Sequence, residues 1–180
     1  MVTEMELEVA TPSSLHGEEL ERVVVLINQV YRVAERGMWI DETFKRTDIE
    51  EVSGIVRDGE LMVCRSGGRV VGCVQCRMLN PSAASFGMLV CDEKFRGRGI
   101  GKALIARAEE RAREKGAKTL QLELLHPIEW KQETKAVLEK WYPKLGFNKT
   151  EEWSFDELYP HLAKGLAHKC FFTVFLKELR

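Results

Sequence analysis

The 180-residue sequence lacks any excess of charge of one sign: 27 Lys and Arg stand against 28 Asp and Glu, a formal net charge of −1. That balance argues against a nucleic-acid surface built on bulk charge. Long apolar runs are missing too, and no stretch approaches the length of a membrane span. The opening Met1-Val2-Thr3-Glu4-Met5-Glu6 is acidic, so a secretory signal peptide is not expected. Cysteine is sparse and odd in number, five in all, which fits reduced thiols of a cytoplasmic protein better than a disulfide framework. Cys73-x-x-Cys76 falls inside the alternating run Val70–Arg77, where residues three apart face opposite sides, so neither chelation nor redox pairing fits. No spacing suggests a metal site. Internal repeats, low-complexity tracts and linkers are absent as well, and one α/β domain over residues 1–180 is expected.

What is present is concentrated in Phe86–Lys102. An apolar run of strand length, Phe86-Gly87-Met88-Leu89-Val90-Cys91, leads through Asp92-Glu93-Lys94-Phe95 into Arg96-Gly97-Arg98-Gly99-Ile100-Gly101-Lys102. A helical pattern follows without a breaker until Gly116. A strand, a glycine turn and a helix place unpaired backbone N–H groups at a helix N-terminus, where the helix dipole favours an anion. Glycine admits left-handed dihedrals and close approach there, and Arg96, Arg98 and Lys102 add formal charge. The expected ligand group is a phosphate or pyrophosphate. A Walker A loop is excluded, because Arg96 stands where its first glycine belongs and Ala103 where it needs Ser or Thr. A dinucleotide fingerprint is excluded by Lys102 in place of its third glycine and by the absence of an acid near Leu120-Gln121.

Along the rest of the chain, Glu6–Ala10 alternates as a strand, and Leu20, Val23, Val24, Ile27, Val30, Tyr31 and Ala34 mark a helix from Leu15 to about Glu35. Thr47-Asp48-Ile49-Glu50 has the form of a capping box opening a second helix to about Arg57. Strands are expected at Leu61–Arg65, Val70–Leu79 and Ala84–Cys91, then a helix to Lys115-Gly116 and a strand over Thr119–Leu125. Gln132–Leu145 is helical, with a kink or early stop forced by Pro143. Lys149–Phe155 reads as a strand, Glu157–Ala167 as a short helix and Cys170–Leu176 as a closing strand.

Two motifs carry a family resemblance. Arg96-x-x-Gly99-x-Gly101 after an apolar strand resembles the acyl-CoA-binding turn of the GCN5-related N-acetyltransferases, and Trp141-Tyr142-Pro143-Lys144-Leu145-Gly146-Phe147 resembles the Tyr-x-x-x-Gly-Phe helix ending of the same family. Together they run from about Ala84 to Phe147. The resemblance implies a mixed, mostly antiparallel sheet flanked by helices and splayed between the fourth and fifth strands. It implies acetyl-CoA as acyl donor, with no metal. Leu89, Val90 and Cys91 would line pantetheine, and Gly97, Arg98, Gly99, Ile100, Gly101 and Lys102, with Arg96, would hold the pyrophosphate. Tyr142 matches the general acid of many members; read without the family it is a core aromatic beside Trp141. Lys135 stands where many members have a cofactor-holding asparagine. Cys91 is read as a small residue beside the cofactor, since no histidine is placed by the motif to activate it.

An amine must be uncharged to attack, and the strand before the glycine turn has no Glu to take its proton. Glu123, alone in an apolar strand, is the candidate base; solvent exposure or pairing with a Lys or Arg is the competing reading. His126 and Glu129 rank after it. Tyr31, Trp39, Arg46, Tyr159 and His161 are available to the acceptor site, and Arg32, Arg36 and Arg46 to a carboxylate on the acceptor. Trp39 is either a wall of that site or a plug packing its loop. The expected reaction is acetyl transfer from acetyl-CoA to a primary amine on a small molecule; the sequence leaves the oligomeric state open, although the resemblance admits a homodimer, dimers being common in that family. The alternative is a non-catalytic acyl-CoA-binding module of the same fold.

Overall fold

The computed structural model describes residues 5–180, so the acidic opening of the chain lies outside them except for Met5 and Glu6. Seven strands form one sheet: β1 (Met5–Val9), β2 (Leu61–Ser66), β3 (Arg69–Asn80), β4 (Ala83–Cys91), β5 (Thr119–Pro127), β6 (Asn148–Ser154) and β7 (Cys170–Glu178). Their order across the sheet is β1-β2-β3-β4-β5-β7-β6, antiparallel everywhere except between β4 and β5. Helices α1 (Gly17–Ala34) and α2 (Ile49–Arg57) bury Leu20, Val23, Ile27, Val52, Ile55 and Val56 on one face, against Leu61, Val63, Met88 and Val90. Helix α3 (Ile100–Glu114) and Tyr142, which follows α4 (Glu133–Trp141), pack on the other with Met62, Phe86, Leu120, Leu122 and Phe175. Among the described residues no helix is long and apolar enough to cross a membrane.

Two local features shape the centre of the sheet. The parallel pairing of β4 and β5 covers Ala83–Ser85 against Thr119–Gln121 and then stops, so the strands diverge and one edge of β4 from Phe86 onward is unpaired. A β-bulge in β4 lies just beyond: Cys73 opposes Val90 and Gln75 opposes Gly87, so that Val74 faces both Met88 and Leu89. Met88 takes φ 49°, left-handed for a residue with a side chain. The extra residue reverses the alternation. Phe86 points to the α3 side, Met88 and Val90 to the α1 side, and Leu89 and Cys91 to the α3 side again.

The remaining elements differ in detail from the sequence expectations. The N-cap of α2 is Asp48, whose side chain accepts from the Glu51 N–H at 2.9 Å, while Thr47 donates its hydroxyl to Glu51 at 2.6 Å. The capping pair is therefore Asp48 and Glu51, one residue later than the Thr47–Glu50 frame, because Asp48 has the extended backbone a cap requires. Helix α4 ends at Trp141, and Tyr142–Leu145 forms a single 3₁₀ turn that accommodates Pro143, as the missing proline N–H demands. The helix expected over Glu157–Ala167 is instead two short pieces, α5 (Phe155–Leu158) and α6 (Pro160–Ala163), broken where Tyr159 precedes Pro160.

Candidate active site

The β4–α3 connection is a turn built for open backbone donors. Asp92 caps a 3₁₀ turn over Glu93–Phe95 by accepting from Lys94 N–H at 3.0 Å. Gly97 and Gly99 then take φ 77° and 81°, and Gly99 serves as the N-cap of α3 with no side chain to satisfy the first turn. The first bond into the helix runs from Ala103 N–H to Gly99 O at 3.0 Å; none of the backbone N–H groups from Gly97 to Lys102 finds an acceptor among the described residues. The contrast with the other long helices is electrostatic. First turns of α1 and α2 carry Glu18, Glu19, Glu50 and Glu51, which neutralise the dipole, whereas α3 has no acid there and carries Lys102. Arg96, Arg98 and Lys102 are exposed and form no ion pair among the described residues, Arg98 lying over the Phe95 ring at 4.9 Å.

The free edge of β4 adjoins this turn. Asp92 N–H donates to Val71 O at 2.8 Å, which fixes the phase of the ladder: Val90 turns its backbone to β3, and Leu89 and Cys91 turn theirs to the divergence from β5. Burial raises the Cys91 thiol, so it is held protonated, the wrong state for a nucleophile.

Across the divergence, Tyr142 is buried among Phe86, Phe147, Phe175 and Trp141, with ring centroids 5.4–6.2 Å away. Its hydroxyl has no hydrogen-bond partner among the described residues, and burial raises the phenol well above its usual range. Glu123 is half-buried and accepts from Gln121 Nε2 at 3.1 Å. The β5 alternation sets it on the α1 side, opposite Leu122, Leu124 and Tyr142. The structure thus does not bring Glu123 and Tyr142 to one face; they flank the divergence from opposite sides. His126 lies on the Tyr142 side, stacked on Phe171 at 5.3 Å, with Nε2 enclosed and unpartnered. Glu129 is exposed at the surface near His168.

At the end of α1, Tyr31, Trp39 and Phe44, with the charged residues Arg32, Glu35, Arg36, Asp41, Glu42 and Arg46, line a cavity of about 210 Å³. Trp39 both lines it and plugs its loop: the indole stacks on Phe44 at 3.8 Å, meets Phe155 edge-on, and donates to Glu35 at 2.8 Å. Tyr159 and His161 pack elsewhere, Tyr159 against Phe155 and Phe172.

The chain that holds the glycine turn, the free strand edge and the buried tyrosine matches the model of the acetyltransferase (GNAT) family over residues 24–147. The chain belongs to that family. No curated protein sequence matches it. Solved GNAT-like structures share the fold at low identity. PaiA N-acetyltransferase from Thermoplasma acidophilum, in complex with coenzyme A, aligns with a TM-score of 0.69 and 14% identity, over 97% of this chain and 99% of that one. YncA from Salmonella typhimurium, with acetyl-CoA, gives 0.68 and 14% over 98% and 94%. The N-acetylglutamate synthase of Neisseria gonorrhoeae, complexed with coenzyme A and N-acetyl-glutamate, gives 0.66 and 14%; there the chain covers only 36% of a longer protein.

Within this GNAT frame, two charged constellations escaped the sequence reading. Lys135 departs from the family asparagine and is buried, its Nζ 3.3 Å from Glu35 with both side chains under a tenth exposed. The pair ties α4 to the end of α1. Spacing held the signal, since Lys135, Leu138 and Tyr142 fall three, four and seven apart on one face, but its partner Glu35 is a hundred residues away. Likewise Lys177 donates to Glu109 at 2.6 Å and to Leu145 O at 2.7 Å, tying the Tyr142 turn to α3. Nothing local announces that bridge.

Proposed function

We propose that this protein transfers the acetyl group of acetyl-CoA to a primary amine of a small acceptor. The observation that carries the reading is the run of backbone N–H groups from Gly97 to Lys102 without protein acceptors, at the mouth of the β4–β5 divergence. Such a run fits a pyrophosphate, and the space around it fits as well: a Cβ built on Gly97 or Gly99 meets nothing within 4 Å. Arg96, Arg98 and Lys102 would add charge to the same anion, and the backbone of Leu89 and Cys91, on either side of Val90, would pair with the amide-bearing arm that follows it. Acetyl-CoA supplies the activated acyl group as a thioester.

The chain's own residues divide the proton work between the two sides of the sheet. Tyr142 keeps its proton at Oη, because burial opposes the phenolate, and so remains a donor for the departing sulfur. Glu123 lies on the side that carries α1 and the cavity at its end, and is assigned to draw the proton from the acceptor ammonium, directly or through a water. The Tyr142 ring is buried while its hydroxyl makes no hydrogen bond to the described residues, which leaves a proton donor free for a ligand at the divergence, and the enzymatic reading is preferred for that reason.

Calorimetric titration with acetyl-CoA, coenzyme A and ATP in parallel tests the cofactor: binding of both CoA species and weak binding of ATP are expected. Tyr142→Phe is expected to bind acetyl-CoA normally and to release coenzyme A about 100-fold more slowly, or worse, in the presence of an acceptor. An unchanged rate removes Tyr142 from the mechanism. Failure to bind coenzyme A removes both the enzymatic and the binding-module readings.

A further inference from the structure

The cavity at the end of α1 has an imbalance that names its ligand. Of its three acids, Glu35 and Asp41 are engaged, while Glu42 is exposed to solvent and pairs with nothing among the described residues. Glu35 uses one oxygen for Lys135 and the other for the Trp39 indole, and Asp41 accepts from the backbone N–H and hydroxyl of Thr43 at 2.8 and 2.6 Å. Its guanidinium groups are not. Arg32 and Arg36 form no ion pair among the described residues, and Arg46 has a single long contact, 3.9 Å, to Glu51. Glu51 itself is engaged by Thr47. Arg46 is half-buried and stands 5.3 Å from the Tyr31 ring centroid, so its donors are oriented by an aromatic platform rather than consumed by a carboxylate. Arg65 shows what a satisfied guanidinium looks like in this fold, donating to Glu8, Glu19, Gly68 O and Ser14 O.

We infer that the acceptor carries a carboxylate beside its amine, an amino-acid-like compound, and that Arg46 is the residue that takes the carboxylate. A planar guanidinium with free donors matches a carboxylate in two parallel hydrogen bonds. Tyr31 and the Trp39–Phe44 stack would hold the carbon skeleton, and the cavity volume, about 210 Å³, suits a small molecule. Position agrees with the chemistry, since Lys135 lies 6.0 Å from the Tyr31 ring on the same helical face as Tyr142. The carboxylate end would rest at Arg46 while the amine points toward the divergence between β4 and β5.

The inference rests on the acetyltransferase reading, and one experiment separates the two. With coenzyme A bound, the protein is titrated with amino acids and with the matched amines that lack the carboxylate, and coenzyme A release from acetyl-CoA is followed with the same panel. Carboxylate-bearing amines are expected to bind and react better than their matched amines. Arg46→Met is expected to raise their KM about 10- to 100-fold, and Arg46→Lys by less, with acetyl-CoA affinity unchanged in both. If acetyl-CoA binds but no carboxylate-bearing amine does, or if Arg46→Met alters KM equally for amines with and without the carboxylate, the inference falls and the acetyltransferase reading stands. Loss of acetyl-CoA binding by the unaltered protein would overturn both.

Discussion

Single residues in this protein are tuned mainly by burial. Cys73 is pushed up to about 12 and Cys76 up to about 11, and they face opposite sides of β3, which leaves two inert thiols where the sequence shows a Cys-x-x-Cys. His126 is the exception with a consequence at ordinary pH. Its imidazole is enclosed at Nε2, stacked on Phe171, and faces Lys135 and Glu139 from α4 and Lys149 and Glu152 from β6; burial outweighs these charges and lowers its pKa. An imidazole whose folded pKa is depressed binds its proton more readily in the unfolded chain. It therefore costs stability as pH falls below about 6.5, until the folded value is passed. Thermal melts of His126→Leu between pH 7 and 5 should show a shallower loss of Tm than the native protein. An equal loss in both would assign the acid sensitivity to other groups.

Among the elements, α3 shows two unlike uses of glycine. Gly99 is required by its dihedral: φ is 81°, and an added Cβ would stand in open space. Gly72 of β3 is required by contact, since a Cβ there would lie 2.8 Å from Val90 O and 3.0 Å from Ile100 Cγ2, the point where α3 presses on the sheet. Gly99→Ala should lose about 1–2 kcal/mol of stability from left-handed strain and weaken acetyl-CoA binding. Gly72→Ala should lose at least as much, about 1–3 kcal/mol, by forcing α3 outward. Melts of the two variants with a parallel acetyl-CoA titration check both; a Gly72→Ala protein as stable as the native one would refute the packing account. Both glycine-rich ends of α3 were legible in the sequence, because a turn residue and a helix cap are decided within a few positions. The capping frame of α2 was misplaced by one, since Thr47 and Asp48 both suit a cap and only the backbone path distinguishes them.

On the scale of the whole molecule, the sheet is nearly two sheets. Three residue pairs join β4 to β5, and the rest of the contact across the divergence is made by side chains. Phe86 meets Tyr142 and Phe147 edge-on, and Lys177 links α3 through Glu109 to the turn that carries Tyr142. If the bridge sets the position of the phenol, Lys177→Met should leave acetyl-CoA affinity within about 2-fold while lowering kcat about 10- to 100-fold. A parallel fall in affinity and kcat would show a general loss of structure instead. Lys135–Glu35 makes a second tie, from α4 to α1, and holds Trp39 through the other oxygen of Glu35.

The sequence by itself determined the order of strands and helices, the break at Pro143, the opposite facing of Cys73 and Cys76, and the open donors at the start of α3. Each of these follows from side-chain period, turn chemistry or helix-end geometry over a few neighbouring residues. The tertiary structure alone decided that β7 inserts between β5 and β6, that the bulge at Met88 reverses the facing of Leu89 and Cys91, and that Glu123 and Tyr142 flank the divergence from opposite sides. It also decided the partners of Lys135 and Lys177, a hundred and 68 residues distant. Pairing between distant strands and helices is selected by the burial of whole faces, and no local pattern encodes which residue will meet which.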